Sequence, residues 1–147
     1  MKKLLLVVLL VCHFSAQAAE GVVTVQSQHG IKMTGDKLVM ALKNKGMTIF
    51  NRIDHAAGGA GVGLTIRPTE LIIFGNPMLG TLLMQCAQTT AIDLPMKALI
   101  YENDKGQVLL SYNDPGYLKS RHQIAGCEKP LAKVTQALAN FAKAATE

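Results

Sequence analysis

A chain of 147 residues with 15 Lys+Arg against 10 Asp+Glu allows one domain and carries a formal charge of +5. The excess is mild and spread along the chain, with no basic run interleaved with aromatics, so nucleic acid is not implied as a partner. Beyond the first residues no apolar stretch reaches membrane-spanning length.

Lys2 and Lys3 open the chain, Leu4 to Val11 is an unbroken apolar run, and Ala16-Gln17-Ala18 is a small-x-small cleavage site. This is the layout of a secretory signal peptide, too short for a stable membrane span. Residues 1–19 are expected to be removed, leaving a single domain over residues 20–147, periplasmic or secreted and with no membrane segment. A lipidated Cys12 is the weaker alternative, because Val11 is bulky where a small residue is wanted. Cleavage takes two lysines and no acids, so the mature charge is about +3.

Gly21 to Gln26 is rich in β-branched residues and reads as a strand. Thr34 is the expected cap of a helix running to about Lys45 and closed by Gly46, with Leu38, Ala41 and Leu42 as its apolar stripe. Met47 to Ile53 alternates like a half-buried strand and ends at Asp54-His55. The glycine-rich run Ala56 to Gly63 lacks the lysine and hydroxyl of a phosphate loop and reads as a flexible connection. Leu64-Thr65-Ile66 and Leu71 to Phe74 are expected as two short strands, with a turn at Pro68.

At Phe74-Gly75-Asn76-Pro77 a strand gives way to a helix. Asn76 suits the cap, and Pro77 suits the first helical position, where its missing N–H costs nothing. Leu79, Leu82, Leu83 and Cys86 then fall on one helical face. Asp93-Leu94-Pro95 ends the following connection. Met96 to Tyr101 and Gln107 to Tyr112 form a hairpin whose turn contains Gly106. Tyr112-Asn113-Asp114-Pro115 repeats the strand-to-helix corner and opens a short helix fading near His122. A last helix begins near Pro130, with Leu131, Val134, Leu138 and Phe141 on its apolar face. Consecutive strands with short links favour an α+β domain, a mainly antiparallel sheet with helices packed on one face.

Ile53-Asp54-His55-Ala56-Ala57, Arg67 to Pro77, Leu79-Gly80-Thr81, Asp93-Leu94-Pro95, Tyr101-Glu102, Ser111 to Pro115 and the Arg121-His122 pair together resemble the DUF302 family, a domain of unknown function. The resemblance covers roughly Val22 to Ile124. It implies a compact fold of the TATA-box-binding-protein-like class without DNA binding, and carries over little chemistry. The signal, the glycine-rich run and the cysteine-bearing C-terminal part extend the usual pattern.

No serine sits in a nucleophile elbow, and no cysteine has the context of a catalytic thiol. The histidines are far apart, without metal-ligand spacing, and the methionines read as core filling. Cys86 and Cys127, the cysteines left after cleavage, are expected to pair as a disulfide in an exported chain. The two corners each aim a helix N-terminus just past a strand end, although Asn76 and Asp114 consume part of that donor capacity as caps. His55 and His122 belong to the resemblance pattern, and His55 stands beside Asp54. The expected ligand site is therefore His55, Asn76, Tyr112, Asn113, Asp114 and His122, holding a small polar ligand by hydrogen bonds. The first reading is an exported ligand-binding or sensing domain, with no cofactor named by the sequence. The second is an enzyme using His55 with Asp114 or His122 as acid and base. The third is a homodimeric interaction module whose corners are structural.

Overall fold

The structure, a computed structural model, describes residues 20–147; the expected signal segment, with its cleavage site and Cys12, lies outside the described residues. The strands are β1 (Val22–Gln26), β2 (Thr48–Asp54), β3 (Thr69–Gly75), β4 (Met96–Glu102) and β5 (Val108–Asn113). The helices are α1 (Ile31–Asn44), α2 (His55–Gly61), α3 (Pro77–Cys86), α4 (Pro115–Arg121) and α5 (Glu128–Thr146), with a short 3-10 helix at Gln88–Ile92. The sheet runs β1-β5-β4-β3-β2 and every pairing is antiparallel. The expected α+β architecture is the one formed.

Alternation along the strands sorts the side chains. Ile72, Phe74, Met96, Ala98, Ile100, Leu110 and Tyr112 point into the core, while Leu71, Ile73, Leu99 and Leu109 stand half-buried on the opposite face. Helices α1 and α5 close the core side through Leu38, Leu42, Leu131, Val134, Leu138 and Phe141. Each fully buried aliphatic or aromatic side chain contributes roughly 1.5–3 kcal/mol. Phe74 and Phe141 meet edge to face with centroids 6.4 Å apart, locking α5 to the sheet. The last helix is thus packed through the residues its spacing predicted.

Three expectations are corrected. Helix α1 is capped by Gly30, and Thr34 lies inside it. The Thr34 hydroxyl contacts Ser27 Oγ at 2.7 Å and donates to the Gly30 carbonyl at 3.0 Å, so it joins the helix to the end of β1 instead of opening it. The glycine-rich run is helix α2, because the Asp54 carboxylate accepts from Ala57 N at 2.9 Å and three alanines offset the glycines. Leu64 to Ile66 is not a strand. Leu64 N turns back to the Gly59 carbonyl, and Arg67 donates to the Glu102 carbonyl at 3.0 Å. Pairing begins only at Thr69, after Pro68, which has no N–H to give a ladder.

Candidate functional site

The sheet has two ends, and they differ. The end that holds Asp54, Glu70, Glu102 and Val108 is polar. There Arg52 bridges Glu70 and Asp36, the latter at 2.7 Å, tying α1 to β2 and β3. Lys32 first, and Arg52 second, hold the Asp36 carboxyl below the ordinary carboxylate range. Glu70, followed by Asp36, raises the Arg52 pKa against the opposing effect of burial. A cleft of about 360 Å³ opens beside these groups, but its charges are spent on one another.

The opposite end contains Gly75, Met96 and Asn113, and here Asn76 caps α3. Its Oδ1 accepts from Met78 N at 3.0 Å and Leu79 N at 3.3 Å. Beside it lies a pocket of about 340 Å³, walled by Phe50, Phe74, Leu79, Leu94, Ala137 and Phe141 among others. The β2–β3 register skips Phe50 between Ile49 and Asn51, and this bulge frees its ring to face the pocket. The Gly75 backbone packs close to it: a Cβ there would sit 3.4 Å from the Phe50 ring and from Pro95, at ordinary contact distance. The lining is almost wholly carbon, with Asn76 and Thr81 the polar residues among it. A wall of this kind holds an apolar body by exclusion of water and orients it with few polar contacts.

The six expected ligand residues do not converge. His55 is the exposed first residue of α2, level with Glu70 at the polar end. Six strand positions, about 20 Å, separate that level from Asn76. A small ligand cannot bridge His55 and the corners by hydrogen bonds. Tyr112 is buried on the core face against Ala98 and Val23, and burial, then the nearby Asp114 charge, raises its phenol above the ordinary range. Asn113 pairs with Val22. Asp114 Oδ1 accepts from Gly116 N at 3.0 Å, and its own N–H donates to the Gly21 carbonyl at 2.9 Å. The two corners share one end of the sheet but stand two strands apart, about 10 Å laterally.

His122, the C-cap of α4, has a role of its own. Its Nε2 is 2.6 Å from Asp93 Oδ2 and its Nδ1 3.1 Å from Thr89 Oγ1, with the ring 5% exposed. A neutral ring donating to Asp93 accepts from the Thr89 hydroxyl. Arg121 adds a contact to Asp93 Oδ1 at 3.5 Å. Cys86 and Cys127 are joined in a disulfide with Cα atoms 6.3 Å apart. Both links fasten neighbouring parts of the chain: the disulfide ties the last residue of α3, and the His122 contacts tie the α3-to-β4 connection, to the α4-to-α5 connection. Since Ala91 and Leu94 flank Asp93 in sequence and line the pocket, these links fix the pocket wall. The roles of Asp93 and Thr89 beside His122, and the gathering of the carbon lining into one pocket, escaped the sequence reading. The sequence marked Leu79 and Leu83 on one apolar helix face and Val134, Leu138 and Phe141 on another, but carried no signal that these faces meet Phe50, Phe74, Leu94 and Met96 around one pocket.

The profile of a family described as "Domain of unknown function DUF302" matches residues 23–144. The fluoride-specific ion channel FluC 1 of Brucella suis biovar 1 (strain 1330) is 47% identical over 104 residues, covering 71% of this chain and 41% of that protein. The fluoride-specific ion channel FluC 1 of Brucella abortus biovar 1 (strain 9-941) is likewise 47% identical over 104 residues, covering 71% of this chain and 38% of that protein. The chain thus spans about two fifths of the length of these curated relatives. The crystal structure of an uncharacterized conserved protein DUF302 from Bacillus stearothermophilus superposes with a TM-score of 0.78 at 19% identity, covering 86% of this chain and 99% of that one. That likeness shows the fold.

Proposed function

The chain belongs to the family of the domain of unknown function DUF302, and we propose that it is an exported binding domain for a small apolar or amphiphilic molecule. One observation carries the binding reading: the pocket of about 340 Å³ at the Asn76 corner, within the size range of small-molecule sites and lined by carbon. Its lining favours an apolar body over the small polar ligand that the corners alone suggested. Asn76 Oδ1 is spent on the cap, but its Nδ2 still has donors to orient a polar group at the mouth. The signal pattern and the Cys86–Cys127 disulfide support export, since such bonds persist in oxidising compartments. The activity of the fluoride channels is not carried over, because a carbon-lined wall offers little to replace the hydration of a small anion.

The test is a titration with the apolar fluorophore N-phenyl-1-naphthylamine. Its emission should rise on binding, and Ala137→Trp, which fills the pocket from α5, should weaken binding at least about tenfold, equivalent to about 1.4 kcal/mol. No rise with the natural protein, or equal binding by the folded tryptophan variant, would overturn the assignment. N-terminal sequencing of periplasmic protein checks export, with Ala19 or Glu20 expected as the first residue.

A further inference from the structure

The pocket opens among exposed apolar side chains. Met78, 74% exposed, lies between the lining residues Pro77 and Leu79, and Ile92, 72% exposed, follows the lining residue Ala91. Phe50, half exposed, belongs to both rim and lining. Single exposed apolar side chains are ordinary, but several gathered at the mouth of a carbon-lined pocket mark an interaction surface.

Charge at the same end is complementary to an anionic partner. The last turn of α1 and the first turns of α5 meet there, because α1 leads into Thr48 opposite Gly75 and the start of α5 is bonded to α3 through Cys127. They bring Lys43, Lys45, Lys129 and Lys133, none of which forms an ion pair among the described residues. The acidic residues of this end are mostly engaged: Asp93 by His122 and Arg121, Glu128 by Lys119, and Asp114 by the α4 cap, leaving Glu20. At the polar end Asp36, Asp54, Glu70, Glu102, Asp104 and Glu147 balance the basic side chains. The net positive charge therefore gathers around the apolar rim.

An apolar rim at the end of the molecule that carries these uncommitted lysines matches an anionic bilayer, where the carbon groups enter the acyl boundary and the lysines meet the headgroups. We infer that the mouth of the pocket docks on an anionic lipid surface and that the molecule it takes is an amphiphile drawn from that surface. The second clause rests on the binding reading above; the docking does not.

Co-sedimentation of the purified protein with vesicles tests it. Vesicles of equal parts phosphatidylglycerol and phosphatidylcholine should carry the protein down, pure phosphatidylcholine should not, and added salt should release it. Met78→Ser with Ile92→Ser, and separately Lys43→Glu with Lys45→Glu, should each lower binding at least about tenfold. Both pairs leave residues 1–19 unchanged, so their loss cannot come from that segment. Val62→Ser with Leu64→Ser, a comparably exposed apolar pair beyond α2 at the polar end, should leave docking intact. Docking is overturned if the natural protein ignores anionic vesicles, if it binds pure phosphatidylcholine as well, or if the folded rim pair binds normally. Ala137→Trp separates the two readings: it should still dock while losing the fluorophore. Fluorophore binding without docking sinks this inference alone, and docking without fluorophore binding sinks the pocket.

Discussion

At the scale of single residues, burial and partners set the role of each polar group. Asp114 is consumed as a cap, and His122 is held between Asp93 and Thr89, where a carboxylate and a hydroxyl fix its ring. Tyr112 is held in its neutral form, because burial and then the Asp114 charge both oppose the phenolate. The unfolded phenol ionises near the ordinary value of about 10, the native one higher. Its stabilising contribution is therefore complete below the ordinary value and is lost as pH rises through the raised native value. The difference in phenolate absorbance between the natural protein and Tyr112→Phe should have its midpoint above the ordinary value. A midpoint at or below it would remove the argument.

Among the elements, α3 shows how a local code is read correctly and yet understates its product. Asn76 and Pro77 start the helix as their chemistry dictates, and the Asn76 carboxamide meets two N–H groups. Asn76→Ala should cost about 1 kcal/mol in the urea unfolding free energy. A null result would mean that solvent satisfies those N–H groups equally well. The same corner also places Leu79 and Leu83 against the pocket, which no cap signal announces. Helix α2 went the other way. Its glycines argued for a loop, but the Asp54 cap and alanines were enough once β2 fixed where the helix starts.

For the whole molecule, the disulfide joins α3 to the start of α5 across 41 residues, and the Phe74–Phe141 contact joins α5 to the sheet. These links close one body around the pocket. Replacing both Cys86 and Cys127 by serine should lower the unfolding free energy by about 3–4 kcal/mol, since the freed loop regains entropy in the unfolded chain. Equal denaturation midpoints for the oxidised protein and the double variant would show that the core alone fixes this geometry. Fluorophore affinity should fall along with stability, because the bond holds the α3 wall of the pocket.

The sequence by itself determined the elements whose cause is local. Periodicity marked the apolar faces of α3 and α5, and the two Asn/Asp-Pro corners marked helix starts. The cysteines left by the proposed cleavage limited the pairing to Cys86 with Cys127. The antiparallel α+β class followed from short links between strands. Only the tertiary structure decided the ends of the sheet. Register places Asp54, and His55 just after it, at the Glu70 end and Asn76 at the pocket end, because each strand step carries the chain about 3.3 Å and one strand is enough to part them. It also decided the partners of His122, which lie 29 and 33 residues away in sequence. The pocket was hidden for the same reason: periodicity showed the apolar faces of α3 and α5 that wall it, but their meeting with Phe50, Phe74, Leu94 and Met96 is an adjacency between distant segments, which leaves no trace in the chain.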